Sequence, residues 1–409
     1  MTRPVRPGPP RAGDPYGIGI VGSYLAPALA IVGLLIVSIA TLNVINGGTP
    51  FGVRSPGGAD GPDGPGPTPA PSNVVIVEPD ADFPGSILYV KAGNVWIQTE
   101  DVPRQLTSGG KDSMPSWSPD GEWIYFIRTS RSEGEWFARG QLREYVMDVP
   151  SLMRVRADGS ANAERLKSGR FKRGGRTWFY WIRQPVLSPD GTTIALVSDA
   201  PNPDDRDVVL QFYNLETGRF RVADAPQTQP LGHQDPAWRP DGLYLLYTKN
   251  GREGSRGAPV IARYDPKSKK VRNISPPGYL QPDYSPDGRY IAATRTRSFG
   301  TDVVILDAAR GTEVMRVTTD GSSWAPVWSP AGDAIAFLHL ENQIVDLRMA
   351  AIAGTGPDFT LGETINLTTV SGLDAASRPD WFVPSDELPA TPPPTDPPAT
   401  SAAPASTAP

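Results

Sequence analysis

The sequence predicts an all-β protein: a six-bladed β-propeller whose ring is closed by strands from both ends of the chain, preceded by one transmembrane helix. Three observations carry this. A Pro-x-(aromatic or Leu)-x-Pro-x-Gly motif recurs, each copy is followed by strand-like runs, and a long uncharged apolar stretch lies ahead of the first copy.

The motif is clearest at Pro115–Phe126, PSWSPDGEWIYF. Ser118-Pro119-Asp120-Gly121 has Ser at position i of a type I turn, Pro with its fixed φ at i+1, and Gly where the chain leaves. The copies begin at Pro115, Pro185, Pro236, Pro282 and Pro326, and Pro379 keeps the Pro-x-Trp without the turn. After each full copy come second strands (WIYFIR, TIALVS, YLLYTK, YIAATR, AIAFLH), and in several units a third and a short fourth, as in VVILDAARG then EVMRVTT. Four antiparallel strands in roughly 45 residues is the arithmetic of a propeller blade. Ser86–Leu106 supplies strands two to four of a blade without its first, and Pro379-Asp380-Trp381 supplies a first strand alone. Together they make the sixth blade and protect the edges at which the ring would otherwise end.

Ahead of the ring, residues 15–53 hold no charged side chain, and Ile18–Ile45 is apolar over 28 residues, enough to cross a bilayer. A cleaved secretory signal is the alternative, but its apolar region runs about 7 to 15 residues. Arg3, Arg6 and Arg11 precede the span and Arg54 follows it, so the expected orientation is N-terminus inside. The expected organisation is a short cytoplasmic segment 1–17, a span 18–45, a Gly/Pro-rich tether 46–82, the propeller 83–384 and a Pro/Thr/Ala-rich tail 385–409. With no cysteine, the propeller must be held by its own core, and a net charge of -5 does not favour a nucleic-acid partner.

Enzyme readings lose their residues. Two histidines, His233 and His339, and no cysteine cannot build a His-rich transition-metal site, which leaves only carboxylates for a hard cation. There is no G-x-S-x-G elbow and no expected room after residue 384 for a hydrolase domain. No cofactor and no metal are expected. Asp199, Asp204, Asp205 and Asp207 read as a solvated acidic loop rather than a calcium loop, because the Gly-interrupted spacing is missing.

The S-P-D-G turns all lie on one face of a propeller, so the longer connections lie on the other, the expected binding face. The first full blade is enlarged there, by 129–150 and by 168–184. The second insertion gathers Arg170, Lys172, Arg173, Arg176 and Arg183 around Trp178, Phe179, Tyr180 and Trp181, a mixture of cations and rings common in binding hot spots. Residues 128–183 carry 13 Arg and Lys against 6 Asp and Glu. Neighbours on a strand point to opposite faces, so two of the four consecutive rings should face outward. His233, just before an innermost strand, is a further candidate facing the channel, with an ordinary hydrogen-bonded role as the alternative. His339 reads as an ordinary strand end.

The repeat resembles that of the TolB-type six-bladed propellers, on PSWSPDG with RVRADGS at 154–160 and RQLTSGG at 104–110. The resemblance implies a bacterial envelope and a non-catalytic binding or scaffolding module, facing outward from the cytoplasmic membrane. It implies an envelope protein or peptide as partner, with a cell-wall glycan or anionic polymer second. Similar propellers also occur in some polysaccharide lyases, so a lyase using Arg176 and Tyr180 is the third expectation.

Overall fold

Each hairpin turn of the repeat closes in the same way. Gly121 N donates to Ser118 O at 2.9 Å, and the same bond forms at Gly191–Ser188, Gly242–Arg239, Gly288–Ser285 and Gly332–Ser329, each 2.8 Å. Side chains complete the turn: Ser118 Oγ accepts from Trp123 N and Asp120 Oδ1 from Glu122 N. Gly121 sits at φ +71°, and a Cβ there would overlap the Phe382 ring, so both backbone and packing require glycine.

The computed structural model describes residues 83–388 except 139, 202, 204–206, 226–231, 251–257 and 355. The expected cytoplasmic segment, membrane span 18–45, tether and all of the tail beyond 388 lie outside the described residues. The chain first lays down β1 (Ser86–Lys91), β2 (Asn94–Thr99) and β3 (Val102–Gln105). Blade 1 follows as β4 (Asp112–Trp117), β5 (Trp123–Ala138), β6 (Gln141–Arg156) and β7 (Glu164–Ser168), then a small ribbon of β8 (Arg170–Arg173) and β9 (Arg176–Phe179). Blade 2 is β10 (Arg183–Leu187), β11 (Thr193–Ser198), β12 (Val209–Asn214) and β13 (Phe220–Val222). Blade 3 is β14 (His233–Trp238), β15 (Leu245–Lys249), β16 (Val260–Tyr264) and β17 (Val271–Asn273). Blade 4 is β18 (Tyr279–Tyr284), β19 (Tyr290–Thr296), β20 (Thr301–Asp307) and β21 (Glu313–Arg316). Blade 5 is β22 (Ser323–Trp328), β23 (Ala334–Glu341), β24 (Ile344–Ala353) and β25 (Thr360–Asn366), and β26 (Asp380–Phe382) ends the ladder. The sheets form a six-bladed propeller, and the sixth has the order β26-β1-β2-β3.

Strand alternation sends each blade's side chains to two different neighbours. Ile87 and Tyr89 pack with Val327, Ala336 and Leu338 of blade 5, whereas Leu88, Val95 and Ile97 pack with Ile124, Phe126 and Val155 of blade 1. Four further clusters fill the remaining gaps between blades, so the core is a ring of six wedges.

The seam is short and well filled. Ile87 lies opposite Trp381, and Ser86 opposite Phe382. Trp381 is buried, meets Phe83 edge to face at 5.7 Å, and donates its indole N–H to Pro84 O at 2.9 Å.

Around the axis, the residue before each motif proline lies in a bulge of its inner strand at positive φ: Met114, Gln184, Asp235, Gln281 and Ala325, all between 51° and 54°. A left-handed conformation costs an L residue about 1–2 kcal/mol. Bonds between blades offset it: Met114 N donates to Ser377 Oγ (3.0 Å), Asp235 N to Gln184 Oε1 (3.0 Å), Gln281 N to Thr248 Oγ1 (2.9 Å) and Ala325 N to Gln281 Oε1 (3.0 Å). Two carboxylates one step further along make the same kind of link, Asp380 Oδ2 accepting from Trp117 N (2.7 Å) and Asp283 Oδ2 from Trp328 N (2.8 Å).

Met114, Gln184, Asp235, Gln281, Arg378 and Asp380 line a central cavity of about 40 Å³, room for roughly two or three waters. Asp283 and Asp380 keep some accessible surface while lying deep in the molecule, and Asp380 faces the cavity. Burial raises the carboxyls of Asp235, Asp283 and Asp380, the last to about 6, and the Arg378 guanidinium opposes the shift at all three. Arg378 donates to Pro282 O at 2.8 Å, which carries its charge from the seam toward blade 4.

Two outcomes follow from the seam and the channel. Trp381→Ala removes the wedge that closes the ring and should lower the unfolding free energy by about 3–5 kcal/mol in urea titration. A carboxyl whose folded pKa is raised binds its proton more tightly in the folded state, so its contribution is complete below about pH 4 and is lost as pH rises through about 6. Asp380→Asn should therefore flatten the decline in stability between those values, read as the slope of unfolding free energy against pH, whatever its effect on absolute stability.

Candidate binding face

Inner strands run from the long connections to the S-P-D-G turns, so one face of the disc carries all five turns and the other the longer loops. The chain enters at Phe83–Ser86 and leaves after Phe382 on the turn face, where Gly121 abuts Phe382. The loop face is thus free of both chain ends of the propeller.

The first insertion is not a loop. Residues 129–150 continue β5 and β6 as a ladder from Thr129↔Pro150 to Ala138↔Gln141. Ten further pairs extend the ribbon about 33 Å. A bidentate ion pair marks its base, Arg128 Nε and Nη2 on Asp112 Oδ1 and Oδ2 at 2.6 and 2.7 Å, with Asp112 fully buried. A free two-stranded ribbon is marginal in water. Here the β8–β9 ribbon buttresses it, with Phe179 lying where a Cβ on Gly134 would be.

The β8–β9 ribbon turns through Gly174 and Gly175, both at positive φ, the requirement of a two-residue type I′ hairpin. Its register puts Phe171 opposite Trp178 and Arg173 opposite Arg176, so these four share one face. Arg173 lies 4.7 Å over the Trp178 ring, and the indole N–H donates to Arg173 O at 3.1 Å. Arg170 and Lys172 are exposed on the other face, beside Thr177 and the buried Phe179. A cleft of about 390 Å³ separates ribbon and arm, lined by Glu133, Gly134, Glu144, Val146, Arg176 and Thr177, among others.

Of the four consecutive rings, Trp178 is half-buried and Trp181 is 50% exposed, whereas Phe179 and Tyr180 are both buried. The inward pair is consecutive because β9 ends at Phe179, and strict alternation ends with it. Tyr180 is therefore a core residue: it stacks on Phe171 at 5.0 Å, meets Phe220 edge to face at 6.0 Å, and burial pushes its hydroxyl up to about 12. Arg183 is part-buried at the start of β10, and its charge acts on Asp235 of the channel rather than on the ribbon.

His233 does not face the channel as a binding group. It is 1% exposed, its Nδ1 accepts from Leu210 N of blade 2 at 3.1 Å, and its ring lies 4.6 Å from that of Tyr247. Of the expected acidic loop, Asp204 and Asp205 lie outside the described residues, and the two that are described are not simply solvated. Asp199 is buried and accepts from Trp181 N at 2.7 Å, which holds the ring at the surface, and Asp207 accepts from Val208 N at 2.8 Å. His339 is buried with Nδ1 3.0 Å from Ser323 Oγ and 3.6 Å from Asp320. This is no nucleophilic triad, because both partners meet the same ring nitrogen and Ser323 is fully buried.

The sequence reading did not single out the channel residues Asp235, Asp283, Arg378 and Asp380, nor the apolar tips of the loop face. Among the described residues nine large apolar side chains are exposed, and six of them, Leu142, Val146, Trp181, Phe299, Leu340 and Val370, stand on the loop face.

No family model matches the chain. An uncharacterised protein of Agrobacterium fabrum is 32% identical over 153 residues, which span 36% of this chain and 43% of that protein's length. Among solved structures, TolB from Acinetobacter baumannii superposes with a TM-score of 0.52 at 18% identity, covering 75% of this chain and 69% of that one. A protein described as TolB from Agrobacterium tumefaciens gives 0.51 at 17% identity, covering 75% and 95%. The fold is that of the TolB-like propellers. At these identities the likeness extends to the fold alone.

The buttress has a direct test. Gly134→Val forces Phe179 off the arm, and amide exchange across 131–148 should speed up about tenfold or more while the global melting temperature moves little.

Proposed function

We propose that the chain is a non-catalytic binding module that receives a protein or peptide on its loop face. The observation that carries this reading is the placement, among the described residues, of six of nine exposed large apolar side chains on the face opposite the ends of the propeller. Apolar surface held out of the core marks interaction sites, and a rigid ring that carries ribbons and loops on one side suits recognition. The Tyr180 hydroxyl, buried with its pKa near 12, and the fully buried Ser323 favour binding over catalysis.

In this reading residues 18–45 anchor the chain in a cytoplasmic membrane with the propeller outside, and the partner belongs to the envelope. A second reading, a cell-wall glycan or anionic polymer, is favoured by one feature: Arg173 and Arg176 share a ribbon face with Phe171 and Trp178, the pairing of cation and ring that suits sugars and anions.

Photo-crosslinking in native cells separates these. A photoreactive residue at Val146 or Phe299 should trap a discrete protein, and one at Leu243 on the turn face should not. Equal trapping from both faces, or none from the loop face, would sink the proposal, and salt-sensitive retention on isolated cell wall that is lost in Arg173→Ser/Arg176→Ser would select the second reading.

A further inference from the structure

The apolar tips of blades 4 and 5 form one connected arc. Phe299 is 93% exposed in the β19–β20 connection, Val370 is 71% exposed between β25 and β26, and Leu340 is 43% exposed near the end of β23. Hydrogen bonds join them through shared neighbours. Thr301 N donates to Gly321 O at 3.0 Å, and Leu340 N donates to the adjacent Ser322 O at 2.9 Å. Val370 N donates to Asp346 Oδ2 at 2.9 Å, and Asp346 lies opposite His339, the residue before Leu340.

The tips are held rather than loose. Arg297 N donates to Gly300 O at 3.0 Å, and the Arg297 guanidinium bridges Thr319 O at 2.8 Å and Asp302 at 3.2 Å. Asp302 also accepts from Gly321 N at 2.9 Å. Gly300 sits at φ +86°, where a Cβ would overlap Gly321 O, so the Phe299 turn lies against the next loop. Asp346 accepts from Thr368 Oγ1 at 2.9 Å and Ser371 N at 2.8 Å, which fixes the Val370 loop similarly. A turn whose backbone is already fixed gives up little further backbone freedom when its ring is covered, so burying the ring is favourable to association.

The charge around the arc is negative. Segments 297–302, 319–323, 339–348 and 367–377, with Lys91 bridged to Leu373, hold Lys91, Arg297 and Arg348 against Asp302, Asp320, Glu341, Asp346 and Asp374. This is opposite in sign to residues 128–183 on the far side of the ring. We propose that the arc of Phe299, Leu340 and Val370 is a docking surface for a polypeptide segment that presents apolar side chains between basic ones. The inference rests on the loop-face reading above and assigns the place and the chemistry of its ligand.

The test uses the full chain in detergent and two fluorescein-labelled synthetic peptides of equal length. One alternates Leu and Val with Lys, and the other has Glu in place of every Lys. The Lys peptide should bind about tenfold or more tightly than the Glu peptide, weaken with added salt, and lose about tenfold in Phe299→Ser, read by anisotropy. The exposed Phe299 leaves the melting temperature of that variant unchanged. Equal binding of both peptides, or Lys-peptide binding indifferent to Phe299→Ser, overturns the arc. Preference for the Glu peptide, lost in Arg173→Ser/Arg176→Ser and kept in Phe299→Ser, overturns the arc and leaves loop-face binding standing. Failure of both peptides to bind, together with no loop-face cross-link, overturns both. Peptide-free self-association abolished by Phe299→Ser would give the arc to a second copy of the chain and overturn the proposal.

Discussion

Pairing of Asp380–Phe382 with Ser86–Leu88 sets the geometry of everything else, because a ring of wedges is only as rigid as its closure. Every interblade core depends on its two blades being held at a fixed angle, and that angle is fixed only once the circle is complete. The same short segment supplies Trp381 to the seam, Asp380 to the backbone of Trp117, and Arg378 to the carboxylates of the channel. Edge protection, interblade bonding and charge balance are thus concentrated in five residues near the end of the chain.

The channel shows why polar groups persist at the centre of an otherwise apolar ring. Burying a carboxylate is costly without partners, yet the bulges and the unpaired edge that each inner strand turns to the axis leave backbone N–H groups that no ladder can satisfy. Gln184 and Gln281 meet that need with neutral acceptors, Asp283 and Asp380 with charged ones, each reaching the next blade. Arg378 then opposes the accumulated negative charge, so the carboxylates are kept as links between blades at the expense of raised pKa values.

The blade count and the closure were legible because their signals are local: Ser-Pro-Asp-Gly dictates its turn wherever it stands, and a lone Pro-Asp-Trp requires strands from elsewhere. The arm was not legible as strands. RTSRSEGEWFARGQLREYVMDV has no period-two alternation, and between 130 and 148 none of its described side chains is buried; its support comes from Asp112 below and Phe179 beside it. The ribbon's cations were visible as composition, but their register was not. Tyr180 was misplaced because strand alternation ends at Phe179, and His233 because burial between blades depends on which neighbour the ring brings alongside. The channel charges stood in plain view beside three of the motif prolines, Pro236, Pro282 and Pro379, yet only the bulge and the closed circle bring Asp235, Asp283, Asp380 and Arg378 together.

Ser86 and Phe382, the outermost pair of the seam, are also the residues at which the chain enters and leaves. Tension between the two ends therefore loads the hydrogen bonds of β1 and β26 one after another, as a zipper is opened, rather than all at once in shear. Peeling needs far less force than sliding, so the ring behaves as a mechanical fuse. Pulled from its ends, it would open at Trp381 while each four-stranded sheet elsewhere stayed intact.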